Sequence, residues 1–292
     1  MFQIRKAERK QAKLRLAIVG VSGSGKSLGA IQIASGMGGK TVVIDTEHRS
    51  ADLYANVADY DVLTLDKPYT PQKYIEAINY CESTGYEIII VDSLSHAWAG
   101  EGGALDMHDI ATQASSSKNS YTAWKEITPW QNKLINAIIQ SPAHIITTMR
   151  VKTHYEVVDV GGKKRPIKIG LAPIQKEGLE YEFTVVLSMD KESYLYTASK
   201  DRTGLFEGKH EKLSKETGKK LIEWLNDGRS LDDVDREEVS RIINDLNHCE
   251  TLELLRNNFK TAKEKYPLHS ESFLKIANER SQLIKSKGEL VS

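Results

Sequence analysis

The octapeptide GVSGSGKS, residues 20–27, follows directly on the apolar run LRLAIV. Its G-x-x-x-x-G-K-S spacing constrains the fold more than any other stretch. The glycines let the backbone wrap tightly enough for successive N–H groups to point inward at an anion. Such a loop leaves a buried strand and opens a helix, whose N-terminus favours negative charge. The spacing therefore assigns Gly20, Ser22, Gly23, Ser24 and Gly25 to a phosphate cradle. Lys26 is expected to reach the β- and γ-phosphates, and Ser27 to offer its hydroxyl to Mg²⁺.

The rest of the first two-thirds of the chain agrees with that start. Apolar runs of strand length lie at 14–19, 41–45, 61–65, 87–92 and 144–149. Their near-continuous apolar character suits a parallel sheet covered on both faces. Helical patterns over Ser27–Met37, Thr70–Ser83 and Tyr121–Gln140 alternate with them, which predicts an α/β core. FTVVLSM and SYLYTAS read as two antiparallel strands, and a helix over 215–227 closes the domain. The core is thus expected over 1–228. The acidic stretch 229–236 reads as a linker. A small helical domain is expected over 237–292, with Val239, Ile242, Ile243 and Leu246 at helical spacing. ATQASSSKNS (111–120) reads as a mobile loop.

Composition narrows the classes. Lys+Arg and Asp+Glu balance at 40 each, so no global field draws nucleic acid and any basic surface is local. Cys81 and Cys249 are the two cysteines, in no metal-ligand spacing, which suits a reducing compartment. The first residues lack the apolar centre of a signal peptide, and no apolar run is long enough for a membrane span. The expectation is a soluble, cytoplasmic protein.

A magnesium-directed carboxylate should end a second apolar strand, and Asp92 does so in EIIIVDS. Hydrolysis also needs a group that orients or deprotonates water. AAA+ ATPases usually carry a glutamate directly after the strand-end aspartate, a place that Ser93 takes here. Glu47, in VVIDTEH, is the alternative. Asp45, Thr46, Glu47 and His48, together with VDSLSHAW, resemble the RecA family over residues 14–205. The resemblance implies a RecA-like P-loop NTPase core with ATP and Mg²⁺ as cofactors. It implies Glu47 as the catalytic base, Ser27 and Asp92 at the metal, and Tyr54 against the adenine. His48 is assigned no catalytic role. RecA has an Asn-Gln pair where this chain has Thr147 and Thr148; Thr148 is the candidate to meet a phosphate or water.

Two loops of that family meet DNA. They map here to 99–120 and 150–173. The second carries Arg150, Lys152, Lys163, Lys164, Arg165 and Lys168 against only Glu156 and Asp159. YEVVDV and PIKIG flank VGGKKR, so a β-hairpin with a basic tip is expected. Such a cluster suits a phosphate backbone, and Tyr155 suits stacking on a base. The alternative for this stretch is a solvated hairpin. Lys200 and Arg202, in SKDRTG, match a family element that reaches a neighbouring subunit's γ-phosphate, which implies a homo-oligomer, ring or filament. The organisation resembles core-only RecA-like ATPases of bacteriophages, grouped with single-strand annealing proteins. That implies ATP-dependent binding of single-stranded DNA, with annealing or exchange in recombination in the host cytoplasm. A single-strand DNA-binding protein is a possible further partner. A ring helicase or translocase, and an ATP-controlled switch for a protein partner without a DNA role, remain as alternatives.

Overall fold

The computed structural model describes residues 6–115, 119–160 and 163–289, with side chains at 155–160, 163–169, 231–235 and 287–289 excluded. In chain order the elements begin β1 (Arg15–Gly20), α1 (Lys26–Met37), β2 (Thr41–Asp45), β3 (Asp61–Thr64), α2 (Pro71–Ser83) and β4 (Ile88–Asp92). α3 (His96–Ala99), α4 (Ala104–Ala114), α5 (Ser120–Gln140), β5 (His144–Val160), β6 (Lys163–Pro173), β7 (Val185–Met189) and β8 (Tyr196–Asp201) follow. The last are α6 (Lys215–Asn226), α7 (Leu231–Asn247), α8 (Leu252–Lys265) and α9 (Ser270–Glu289).

The sheet runs β3-β2-β4-β5-β1-β7-β8, with β6 paired to β5 outside that path. Neighbours from β3 to β7 are parallel, and β8 and β6 add antiparallel pairs. This is the mostly parallel α/β core that the alternating pattern predicts. β1, β2 and β4 are buried at every position, as strands covered on both faces must be. Their apolar side chains join Tyr74, Ile78, Leu134 and Ile138 of the covering helices in one core. Local chemistry sets the helix starts: Thr70 accepts from Lys73 N ahead of Pro71, and Asn119 accepts from Tyr121 N.

Close packing of α1 against the start of α6 depends on glycine. A Cβ on Gly218 would lie 2.0 Å from Ile33 O, and one on Gly36 would lie 1.8 Å from Lys215 O. Backbone cannot yield as a flexible side chain can. Gly218→Ala is therefore expected to destabilise the core by about 1–3 kcal/mol, measurable as a lower urea midpoint at unchanged slope. A midpoint equal to wild type would mean the helices separate at no cost.

Buried polar groups tie β1 to the α5–β5 connection. The Arg15 guanidinium donates to the carbonyls of Leu14, Ile139, Ser141 and Ala143. Leu14 N donates to His144 Nδ1 at 3.0 Å. Burial, with Lys13 and Arg15 nearby, pushes His144 down to about 4. Below its ordinary value of 6.5 the unfolded chain takes up a proton that the folded chain refuses until about pH 4. This contribution is complete above pH 6.5 and is lost as pH falls through that window, by roughly 3 kcal/mol at most. Denaturant titrations from about pH 7 to about pH 4 should show a shallower acid loss in His144→Asn, whose amide oxygen still accepts from Leu14 N. Parallel profiles would remove His144 from the account.

Three sequence expectations change. The segment 229–236 falls largely within α7; acidic residues suit a helix N-terminus as well as a linker. Residues 111–114 and 120 belong to α4 and α5, so the described part of 111–120 is largely helix end; Ser116, Ser117 and Lys118 lie outside the described residues. Among the described residues, the N-terminal segment groups with the C-terminal helices: one compact unit lies within 13–225, the other joins 6–12 to 226–289. Within the latter, Gln11 N donates to Arg229 O and Arg229 N to Arg9 O. Gly228, at φ 103°, lets the chain pass Arg9 closely. Its helices bury Val239, Leu246, Leu255 and Phe273 in a core of their own, with Ile242 and Ile243 packed against it. No helix among the described residues is long and apolar enough to cross a membrane.

Candidate functional site

The phosphate loop leaves β1 and turns into α1 through Gly23 at φ 79° and Gly25 at φ 88°. A Cβ on Gly20 would lie 2.5 Å from Ser24 Oγ and 3.0 Å from Met189 O, so the loop is tightly packed where it leaves the strand. Lys26 opens α1 and donates to Val21 O at 2.9 Å. Burial pulls its pKa down; Asp92 and Glu47 oppose the shift and Arg150 adds to it. Four charged groups thus meet at one point of the sheet's C-terminal edge.

Strand order explains how. β5 lies between β1 and β4, so Thr148, one position past the last pairing with β4, sits beside the strand-end Asp92. Its hydroxyl donates to Asp92 Oδ1. Thr148 is therefore engaged with the carboxylate, where the sequence reading has it meeting a phosphate or water. Asp92 is buried, which raises its pKa, while hydrogen bonds from Ser27 and Thr148 hold the charged form. A buried carboxylate beside a serine hydroxyl fits a divalent cation whose remaining ligands are phosphate oxygens and water.

Glu47 follows β2, which pairs with β4 on the far side. Asp45 shapes the turn that carries it, accepting from Glu47 N at 2.6 Å and Ala51 N at 3.1 Å. His48 and Arg49 complete the turn in the left-handed region, at φ 56° and 66°. Thr46 Oγ1 accepts from Ser93 N and pairs with His96 Nδ1 at 2.8 Å; the His96 ring stacks on Tyr69. Burial lowers the pKa of His96.

Arg150 is the main correction. Sequence groups it with the hairpin cations, yet its guanidinium forms a two-pronged pair with Glu47, Nε to Oε1 at 3.0 Å and Nη2 to Oε2. Its backbone N donates to Ser95 Oγ at 2.9 Å, in the turn after Asp92. Arg150 thus belongs with the candidate base, and the hairpin keeps five basic residues against two acidic ones.

The hairpin exists as backbone. β5 and β6 pair antiparallel from Val151↔Pro173 to Val160↔Lys163, with a register shift at His154/Tyr155. Lys163, Lys164, Arg165 and Lys168 stand on strand β6, not in a turn; their side chains, and that of Tyr155, lie outside the described ones. Lys152 lines a cavity of about 300 Å³ at the hairpin's base, with His154, Gln175 and Glu180. The other candidate DNA segment, 99–120, holds α4 in its middle.

Tyr54 ends a short 3₁₀ turn after Glu47 and is half-buried. Sequence reasoning missed a second tyrosine: a Cβ on Gly25 would lie 3.6 Å from the Tyr194 ring, placing Tyr194 against the phosphate loop. Lys200 near the end of β8 and Arg202 just past it converge. Both donate to Tyr181 O, and Lys200 also to Glu180 O. Lys200 pairs with Val186 near the start of β7, whereas the phosphate loop adjoins Met189 at its end. Both are thus held towards the end of β7 opposite the phosphate loop.

A sheet in which one strand separates a glycine-wrapped phosphate loop from a buried strand-end aspartate is that of a P-loop nucleotide-binding protein. Residues 12–217 match the family model described as an AAA domain, and the chain belongs to that family. A comparison with curated proteins yields no match. Membership points to nucleotide binding and hydrolysis, typically with Mg²⁺.

Proposed function

We propose that the protein is an ATP- and Mg²⁺-dependent ATPase that binds single-stranded DNA and acts in phage recombination by annealing or exchanging strands. One observation carries the reading. β5 runs without a break from Thr148 and Arg150, at the nucleotide site, into the basic hairpin. A ligand on the hairpin therefore pulls on the strand whose Arg150 grips the candidate base Glu47.

In this reading the phosphate-loop N–H groups and Lys26 bind the β- and γ-phosphates, and Tyr54 or Tyr194 packs on the adenine. Ser27 and Asp92 would hold Mg²⁺, which would supply charge neutralisation at the phosphates. Glu47 accepts the proton of the attacking water, and Arg150 orients its carboxylate. Lys200 and Arg202 act on a neighbouring subunit's nucleotide in a homo-oligomer. A second reading has its own support: Leu254, Leu268, Leu274 and Leu283 of the C-terminal unit are exposed, as a protein-binding switch would need.

The test is ATP hydrolysis by the full chain with and without unstructured single-stranded DNA. Stimulation by the single strand and not by duplex supports the reading. Hydrolysis indifferent to DNA rejects it in favour of the partner-controlled switch.

A further inference from the structure

A second feature of the core lies away from the nucleotide. Trp98 of α3 and Trp124 of α5 stack with ring centroids 5.6 Å apart and planes 17° from parallel. His108 of α4 continues the column at 4.4 Å from Trp124. Aromatic columns usually close a core. This one borders a cavity of about 220 Å³, which Thr128, Gln131 and Lys176 also line.

Gln131 is buried at 2% exposure, and among the described residues its Oε1 has no hydrogen-bond partner. The neighbouring network fixes which end is free. Gln175 Oε1 accepts from Lys176 N at 2.8 Å, so it is the oxygen of that amide. Gln131 therefore turns its Nε2 to it, also at 2.8 Å, and leaves its oxygen unmatched. Gln175 Nε2 is held in turn by Leu94 O. The oxygen is closed to solvent behind the cavity wall, so an N–H donor from outside reaches it when the wall gives way.

We infer that this cavity is a slot for one unpaired base of a single nucleic-acid strand. The base extends the stack at its Trp98 end, since His108 takes the Trp124 end; an amino or imino N–H reaches Gln131 Oε1, and the Lys176 ammonium turns from Asn132 Oδ1, to which it donates at 3.2 Å, to the adjoining phosphate. Bases in a duplex have their faces stacked and their edges paired, so the slot selects single strands. Its position agrees. Trp98 precedes and Trp124 follows the segment 99–120, and Lys176 comes three residues after β6. The slot thus lies at the roots of both segments assigned to DNA. This inference rests on the single-strand reading above and adds a site that the basic hairpin does not supply.

The experiment uses the full chain and an oligonucleotide carrying 2-aminopurine, with binding of a fluorescent ATP analogue as the folding control. Expected are quenching of 2-aminopurine in the single strand and not in the duplex, and single-strand affinity roughly tenfold weaker in Trp98→Ala. Trp98→Phe, which keeps a ring, should fall between the two. Single-strand binding without quenching, and unchanged in Trp98→Ala, overturns the slot and leaves the DNA reading standing. No single-strand binding by wild type overturns both. If Trp98→Ala fails the folding control, the wild-type quenching decides alone.

Discussion

Glu47→Gln is expected to slow ATP hydrolysis by roughly 10²- to 10⁴-fold while nucleotide binding stays close to wild type. The amide has nearly the shape of the carboxylate but cannot take a proton from water. It also forfeits the charge that Arg150 grips through two hydrogen bonds. Phosphate release in a single turnover, beside direct binding of a fluorescent ATP analogue, separates the two effects. Lys26→Ala should differ in kind, because it removes the cation that meets the β- and γ-phosphates and so weakens binding itself. Arg150→Ala completes the set. If Arg150 positions Glu47, the variant should lose hydrolysis with little change in binding. Full activity in Glu47→Gln would move the base elsewhere and leave the Glu47–Arg150 pair a structural tie.

Neutralising the hairpin should have the second large effect. Lys163→Ala, Lys164→Ala and Arg165→Ala together remove three of the five hairpin cations. For single strands the salt slope is about 0.7 per phosphate contact, so the log–log slope should fall by about 2. Near 0.1 M salt this corresponds to roughly 100-fold weaker binding. ATP binding should be unaffected, because these residues stand on β6, whose partner β5 alone reaches the nucleotide site. An unchanged affinity and slope would place the DNA contact elsewhere or remove DNA from the function.

Much of the fold is legible in the sequence because its signals are local. The strand over Thr41–Asp45 and the ends of the helices at Met37, Ser83 and Gln140 fall where apolar period and capping residues put them. β5 is the instructive exception. Its first six residues are the apolar run at 144–149 and its continuation to Val160 is one arm of the expected hairpin; the sequence announces both pieces but not that they form a single strand. α4 was hidden: glycines before it and serines after it resemble a loop, while Asp106 in its first turn accepts from Gly102 N and starts a helix.

The candidate site divides along the same line. By itself the sequence determined the phosphate loop, the strand-end Asp92 and the turn that carries Glu47, since each is set by neighbours within a few residues. Only the tertiary structure decided that Arg150 leaves the hairpin cations for Glu47, that Thr148 spends its hydroxyl on Asp92, and that Trp98 stacks on Trp124. Each of those contacts crosses elements far apart in the chain. They follow from the order β2-β4-β5-β1, and strand order arises when many buried faces pack at once, which no single segment encodes.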